Sequence, residues 1–315
     1  MPLSVDEPIR LTPLFRERVW GRRSLEPFFS ELPSDALYGE VWFTSGENPT
    51  SVGVPLLELL ENEPGALGTA ADPANSNIVP LLVKLLFTSE RLSVQVHPND
   101  LYAREHHNSL GKTEAWYVVD AHPPGELAVG FREPIDLDVL KRAAQTGEIE
   151  ELLDWRKVSP GDAIYVPAGT VHAIGAGLTI CEIQENSDIT YRIYDYGRPR
   201  ELHLEHGAAV SKLGPPEHTQ ARVKLAAWRE QLIVSEYFRI ERLRPVKSFE
   251  IDRGLPLYLL LICLRGNGMI GRHRFQAGEC WFVPAGNAHT EITGGESEWI
   301  LTYKSAETLR TIRGE

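Results

Sequence analysis

One twelve-residue segment occurs twice and constrains the whole chain. Gly161-Asp162-Ala163-Ile164-Tyr165-Val166-Pro167-Ala168-Gly169-Thr170-Val171-His172 returns 117 residues later as Gly278-Glu279-Cys280-Trp281-Phe282-Val283-Pro284-Ala285-Gly286-Asn287-Ala288-His289. Each copy reads as a turn, a strand, a Pro-Ala-Gly turn and a second strand, with the histidine just past the second turn. Gly, Pro and Ala recur where tight turns need them. The chain is therefore read as two copies of one β-module, and its 315 residues suit two domains.

The remaining periodic segments agree with that reading. Glu40-Val41-Trp42-Phe43, Glu114-Ala115-Trp116-Tyr117-Val118-Val119, Ala163-Ile164-Tyr165-Val166 and Cys280-Trp281-Phe282-Val283 are short, rich in β-branched and aromatic residues, and bounded by turn formers. This is the pattern of an antiparallel all-β sandwich or barrel. Few helices are expected. Residues 55–61 form one, with Pro55 near its first position. Residues 136–145 form another, with Asp136 as N-cap and Gly147 as a break before a further helical stretch at 148–154.

Charge and composition exclude several classes of function. The chain has 32 Lys and Arg against 44 Asp and Glu, a formal net charge of −12, which argues against nonspecific nucleic-acid binding. A phosphorylated small molecule stays compatible, because a few local cations suffice to hold it. The longest apolar run, residues 255–264, is too short to span a bilayer, so no membrane partner is expected. Met1-Pro2-Leu3-Ser4-Val5-Asp6-Glu7 has neither a basic nor an apolar signal region, so no signal peptide is expected. Cys181, Cys263 and Cys280 lie in apolar strand contexts without C-x-x-C spacing and read as reduced core residues. Together these features fit a cytoplasmic enzyme.

The chemistry concentrates in the first copy. In Arg91-Leu92-Ser93-Val94-Gln95-Val96-His97-Pro98-Asn99-Asp100, strand alternation places Leu92, Val94 and Val96 on one face and Ser93, Gln95 and His97 on the other. Pro98 ends the pairing. Glu114 and His172 stand in similar loop-bounded strand contexts. Gln95, His97, Glu114 and His172 offer two imidazoles, one carboxylate and one carboxamide oxygen, a set that suits one Zn²⁺ or a similar divalent ion. With a single carboxylate, the site keeps about one positive charge, which favours an oxyanion on the substrate. The segment upstream of the second copy, Tyr258 to Gly268, holds no His or carboxylate. His289 is accordingly read as a turn or core histidine.

Further charges cluster around the first set. Lys112 precedes Glu114 by two residues and shares its face. Glu182 lies in the apolar alternation around Cys181 and Ile183, and Arg192 in Tyr191-Arg192-Ile193-Tyr194. Such residues need partners. They read either as a structural Glu–Arg pair or, beside a metal, as proton-transfer and anion-recognition groups. Arg198 and Arg200 follow and could hold a phosphate. His106 and His107 are read as solvated residues of a polar loop (104–111) or a wall of the site entrance, and His203 and His206 as a surface or inter-module segment.

Four motifs also carry a family resemblance. Val94-Gln95-Val96-His97-Pro98-Asn99-Asp100, Gly111-Lys112-Thr113-Glu114-Ala115-Trp116-Tyr117, Pro167-Ala168-Gly169-Thr170-Val171-His172-Ala173 and Gln184-Glu185-Asn186-Ser187-Asp188-Ile189-Thr190-Tyr191-Arg192-Ile193-Tyr194-Asp195 resemble type I mannose-6-phosphate isomerases of the short bacterial form. Trp20-Gly21 and Gly39-Glu40-Val41-Trp42 resemble the same family's N-terminal region. The resemblance implies a mainly β fold of two tandem cupin (double-stranded β-helix, jelly-roll) modules with a few short helices. It implies a zinc-dependent interconversion of mannose 6-phosphate and fructose 6-phosphate. By motif position, Gln95, His97, Glu114 and His172 are the implied zinc ligands and Arg192 the implied catalytic arginine. Lys112 and Glu182 are implied active-site groups, and Arg198 stands where longer members carry a substrate-binding lysine. Lys112 and Arg192 are expected to touch substrate as well.

The expected domains are 1–205, a catalytic metal-binding module with short helical segments, and 206–315, a module without a metal site. Residues 201–224 could belong to either, and N-terminal strands could complete the C-terminal sheet. The expected partner is a phosphorylated hexose; the sequence sets no oligomeric state. Two alternatives stand beside the isomerase: a metal-dependent cupin oxygenase and a noncatalytic sugar-phosphate-binding cupin. A glutamine ligand and a Lys–Glu–Arg cluster suit an oxygenase poorly.

Overall fold

A computed structural model describes residues 5–71, 77–216 and 220–314. Residues 1–4, which carried part of the signal-peptide reading, and 217–219, in the stretch left open between the modules, lie outside the described residues. The first half of the chain runs β1 (Ile9–Leu11), β2 (Leu14–Arg22), β3 (Tyr38–Trp42), α1 (Leu56–Asn62), β4 (Leu81–Phe87), β5 (Val94–Val96), α2 (Asp100–His107), β6 (Glu114–Ala121), β7 (Glu126–Phe131), α3 (Leu137–Thr146), α4 (Ile149–Leu152), β8 (Leu153–Lys157), β9 (Ala163–Val166), β10 (His172–Ile174), β11 (Leu178–Glu185), β12 (Tyr191–Tyr194) and α5 (Leu204–Val210). The second half is β13 (Val223–Lys224), β14 (Arg229–Val234), β15 (Arg239–Leu243), β16 (Ser248–Ile251), β17 (Leu259–Arg265), β18 (Asn267–Ile270), β19 (His273–Gln276), β20 (Cys280–Val283), β21 (Thr290–Thr293), β22 (Glu298–Tyr303) and β23 (Ile312–Gly314). The expected mainly β architecture is found.

Two sheets frame the site, ordered β2-β3-β4-β11-β6-β9 and β12-β5-β10-β7-β8. Two more, β1-β20-β17-β22-β15-β14-β13 and β19-β18-β21-β16-β23, are built mainly from the second half. The exception is β1, which pairs with β20 (Ile9 opposite Phe282), so the N-terminal strand does complete a C-terminal sheet.

Period-2 alternation on the six-stranded sheet assigns each residue to one of two environments. On β4, Val83, Leu85 and Phe87 join Ala115, Tyr117, Cys181 and Ile183 in a core continuous with β17, β20 and β22. Leu86, Trp116, Val118 and Ile180 point the other way, into a cluster with Trp20 of β2, with Leu92, and with Val129 of the facing sheet. Both faces are thus covered, which is why β4 is buried at every position. Burying each large aliphatic side chain here contributes roughly 1.5–3 kcal/mol. The same alternation sends Lys84, Glu114 and Glu182 into the space between the two site-forming sheets, as the cleft lining and their cross-strand partners show.

The outer face of the five-stranded sheet is covered by helices. Val94, Val96, Ala173, Tyr191 and Ile193 pack against Leu140, Ala143 and Ala144 of α3 and Ala208 of α5. The α3 boundaries follow the expected signals: Asp136 Oδ1 accepts the Val139 N–H at 2.8 Å, and Gly147 ends the helix at φ 88°. The first helix is found at Leu56–Asn62, with Pro55 at the N-cap position, one residue before the expected N1, and no side-chain capping bond.

Several local expectations are corrected. The stretch 148–154 is helical only over Ile149–Leu152 and then becomes β8. The supposed polar loop from residue 104 is largely the end of α2: Asn99 accepts the Tyr102 N–H at 3.0 Å, and Asn108 closes the helix at φ 51°. Residues 203–206, read as a surface or inter-module segment, keep a half-exposed position and form the entry of α5 and its first turn, where His206 stacks on Tyr191 at 5.1 Å. Leu92 does not share a face with Val94 and Val96. Its N–H still bonds the Ile174 carbonyl at 2.8 Å, but the regular strand begins at Val94, and the Leu92 side chain turns into the inter-sheet cluster.

The two repeat copies adopt matching backbones. Gly161 and Gly278 have φ of 98° and 88°, and Gly169 and Gly286 of 85° and 73°, a region that L side chains rarely occupy. The histidines diverge. His172 starts β10 and is fully buried, whereas His289 lies in an exposed loop just before β21.

Candidate active site

Gln95 sits at the centre of the site-forming sheet. Strand β5 runs between β10 and β12, so Gln95 lies opposite His172 on one side and Arg192 on the other. His97 follows just beyond β5. From the facing sheet, Glu114 opens β6 between Gln184 of β11 and Val166 of β9. The four expected donors therefore arrive from two sheets, and they converge. Glu114 Oε2 is 3.2 Å from His97 Nε2, and Glu114 Oε1 is 3.3 Å from His172 Nε2. The carboxamide of Gln95 is 3.2 Å from His172 Nε2.

Each imidazole is held by its other nitrogen. His97 Nδ1 donates to the Ile189 carbonyl at 2.9 Å, and His172 Nδ1 to the Thr170 carbonyl at 2.8 Å. With the protons on Nδ1, both Nε2 lone pairs face Glu114, as metal-ligating histidines require. Burial, reinforced by the charge of Lys112, lowers the His97 pKa to about 3, so its imidazole is neutral. Burial likewise lowers that of His172. Burial alone would raise the pKa of Glu114, but it is outweighed, with the ammonium of Lys112 the nearby cation, so the pKa is lowered and the carboxylate is ionised.

A neutral imidazole pair facing a buried carboxylate has acceptors and no donor between them. His97 Nε2 and both carboxylate oxygens of Glu114 are buried without a hydrogen-bond partner. Buried polar atoms are rarely left so. A divalent cation satisfies all three at once. The ligand atoms of His97, Glu114 and His172 lie within 4.8 Å of one another, a group that could hold a metal ion. Rotating the Gln95 carboxamide by half a turn presents Oε1 to the same centre with no change of shape.

A cleft of about 390 Å³ opens beside this centre, with Gln95, Lys112, Glu182 and Arg192 in its wall. Its charged lining is Arg18, Lys84, Lys112, Arg192 and Arg200 against Glu40, Glu182 and Asp188, five cations to three acids. In a chain of net charge −12 that local excess marks an anion site. Lys112 Nζ lies 3.5 Å from Glu114 Oε2. Arg198 is not part of the cleft lining; its guanidinium binds Asp195 and the Arg91 carbonyl.

Glu182 does not pair with Arg192, the structural alternative read from the sequence. Its Oε2 is 3.4 Å from Lys84 Nζ, and its Oε1 accepts the Trp116 indole N–H at 3.1 Å. Burial, then the negative charge of Glu114, raises the Glu182 pKa, while Lys84 and Lys112 pull it down to a lesser extent. Burial works against the charge on Lys84, but Glu182, Glu40 and Asp188 outweigh it and raise that pKa. Glu40 is itself clamped by Arg18 at 2.9 and 3.0 Å and by the Trp42 indole at 2.6 Å. The sequence reading missed Lys84, although a lone lysine inside Leu81-Leu82-Val83-Lys84-Leu85-Leu86-Phe87 is itself a signal that it needs a partner. It also missed Arg18 and the role of Glu40, whose partners are set by β2–β3–β4 pairing and not by local pattern.

Residues 9–133 match the family model "Phosphomannose isomerase type I, catalytic domain". The mannose-6-phosphate isomerase ManA of Bacillus subtilis is 36% identical over 319 residues, covering 94% of this chain and 99% of the relative. The mannose-6-phosphate isomerase of Streptococcus mutans is 37% identical over 281 residues, covering 84% and 87%. The chain belongs to the type I phosphomannose isomerase family. Its fold agrees: the crystal structure of the Bacillus subtilis mannose 6-phosphate isomerase superposes with a TM-score of 0.85 at 29% identity, covering 94% of this chain and 99% of that one. The phosphomannose isomerase model match ends at residue 133 and includes Gln95, His97, Lys112 and Glu114. His172, Glu182 and Arg192 lie beyond it, in the part spanned by the full-length relative. No helix among the described residues is long and apolar enough to cross a membrane.

Proposed function

We propose that this chain interconverts mannose 6-phosphate and fructose 6-phosphate by moving a proton between C1 and C2 through a cis-enediol. The observation that carries the proposal is the set of three unpartnered buried acceptors, on His97 and Glu114, beside a cleft with excess positive charge. Gln95, His97, Glu114 and His172 would hold one ion per chain, and their mixed imidazole, carboxylate and carboxamide donors suit zinc. Such an ion supplies electrostatic stabilisation for negative charge developing on the sugar oxygens.

The protein's own groups do the rest. Glu182 is the proposed base. It takes the C2 proton of the open-chain aldose and returns it to C1, while the O2 hydroxyl proton passes to O1, and its raised pKa brings it nearer to working pH. The indole N–H of Trp116 and the ammonium of Lys84 fix its two oxygens. Lys112 is proposed to bind a substrate hydroxyl. Arg192, whose Nε is buried without a partner, is proposed to donate to a substrate oxygen. Residues 1–205 are proposed as the catalytic metal-binding module and 206–315 as a module without a metal site. The three free, buried cysteines fit a cytoplasmic setting.

The test is turnover of mannose 6-phosphate to fructose 6-phosphate by the purified protein, followed with C2-deuterated substrate. Turnover with deuterium washing out to solvent supports the enediol path. No turnover above background removes the assignment.

A further inference from the structure

Three arginines and one buried aspartate crowd the chain reversal after β12. Tyr196 and Gly197 both take left-handed backbones, φ 55° and 78°, and the Arg198 N–H closes the turn on the Asp195 carbonyl at 3.0 Å. Two consecutive left-handed residues make a tight reversal in which glycine is favoured. The turn carries residues 198 and 200 back past Asp195, which is only 2% exposed.

The two arginines meet that carboxylate differently. Arg198 is consumed by protein. Its Nε binds Asp195 Oδ1 at 3.1 Å, its Nη2 donates to the Arg91 carbonyl at 2.9 Å, and its Nη1 lies 3.8 Å from Glu90. Its guanidinium also lies 5.2 Å from the Tyr196 ring centre. Arg200 is gripped from one edge: Nε to Asp195 Oδ2 and Nη2 to Oδ1, both at 2.6 Å. This two-point grip fixes the guanidinium plane. Among the described residues, its Nη1 has no hydrogen-bond partner, and Arg200 belongs to the cleft lining together with Arg192. Burial, then the charge of Arg200, lowers the pKa of Arg192, so these two cations repel across a shared space. Asp195 is the one buried carboxylate facing the three arginines; Glu90 beside Arg198 and Glu201 beside Arg192 are largely solvent-exposed and neutralise them weakly.

We propose that Arg200, with Arg192 beside it, anchors the phosphate monoester of the sugar substrate, and that Asp195 is the positioning residue that aims it. Arg198 is a structural brace on the other side of the same aspartate and does not touch the phosphate. The inference rests on the sugar-phosphate reading of the cleft, and it moves the phosphate contact from the position that the family resemblance implies to one two residues later.

The test compares Arg200→Ala, Arg200→Lys, Arg198→Ala and Asp195→Asn with wild type in two assays. The first is kcat and KM for mannose 6-phosphate. The second is binding of inorganic phosphate by calorimetry, which needs no turnover. Arg200→Ala is expected to raise KM and weaken phosphate binding by about tenfold or more, with kcat changed less than KM. Arg200→Lys, which keeps the charge and loses the two-point grip, falls between it and wild type. Arg198→Ala stays within about threefold of wild type in both assays, and Asp195→Asn raises KM without the kcat loss of a catalytic residue. If Asp195→Asn does not fold, the two Arg200 variants decide the matter. An Arg198→Ala loss equal to or greater than that of Arg200→Ala overturns the proposal, as does unchanged phosphate binding in Arg200→Ala. If wild type shows no isomerase turnover but loses phosphate binding in Arg200→Ala, the anchor stands and the isomerase reading falls.

Discussion

Nζ of Lys84 lies 3.4 Å from Oε2 of Glu182, at directly paired positions of β4 and β11. Both side chains are nearly fully buried, so each stabilises the other's charge, and removing either strands its partner in a poorly solvated site. The cross-strand pair links a structural fact to a functional one. It sets where the proposed base sits and how acidic it is.

Lys84→Met is therefore expected to lower kcat/KM by about a hundredfold and to shift its pH profile. Glu182 accepts a proton only when ionised, so activity falls as pH drops through its pKa. Burial and Glu114 already raise that pKa, and Lys84 pulls it down. Without the ammonium it rises further, and the acid limb moves to higher pH. A profile of kcat/KM against pH checks this. An unmoved limb in a folded variant contradicts the pairing.

Glu182→Gln should keep the shape of the site and lose the base. Turnover is expected to fall by about 10²–10⁴, while metal content measured on the same sample stays that of wild type. A variant that loses its metal along with its activity would place Glu182 in the metal's support instead.

Glu185, which accepts the Thr113 N–H behind the site, offers a stability test. Burial, with a smaller push from Asp100, raises its pKa to about 8, although the Thr113 N–H opposes this. The folded state thus holds a proton that the unfolded chain releases near pH 4. Its contribution is complete below that value and is lost as pH rises towards 8, at up to about 1.4 kcal/mol per pH unit. Thermal melts of Glu185→Gln should show a flatter decline across that window than wild type. An identical decline contradicts the assignment.

The repeat predicts an asymmetry. Gly169 and Gly286 occupy the same place in the two copies, but an added methyl at 169 would meet the Val210 carbonyl at 2.8 Å, whereas at 286 nothing lies within 4 Å. Gly286→Ala should lose only the left-handed backbone preference, about 1–2 kcal/mol. Gly169→Ala should lose more, because the end of α5 must shift. Urea unfolding of the two variants compares them; equal losses argue against the contact.

Much of this was legible in one dimension. The repeat fixed the turn backbones at 161, 169, 278 and 286, because only a few residue types suit those conformations. The gathering of Gln95, His97, Glu114 and His172 could be read because strand alternation puts Gln95 and His97 on one face at β5, and Glu114 and His172 each open a strand. What escaped was set by pairing between distant strands. Lys84 meets Glu182 only because β4 and β11 are in register, and Arg200 reaches the cleft only because the 195–198 turn folds it past Asp195. The helix α2 was missed for a different reason: Asn99 and Asp100 carry the start signals, but its histidines and exposed polar residues mimic a loop.

The most direct measurement is metal content and mannose 6-phosphate turnover on one preparation, carried through chelation and return of zinc, for wild type and His172→Ala. The account predicts one ion per chain, a fall of about a hundredfold or more when it is stripped, recovery with zinc, and no retained ion in His172→Ala. Full turnover by metal-free protein, or an ion held undiminished by His172→Ala, contradicts it.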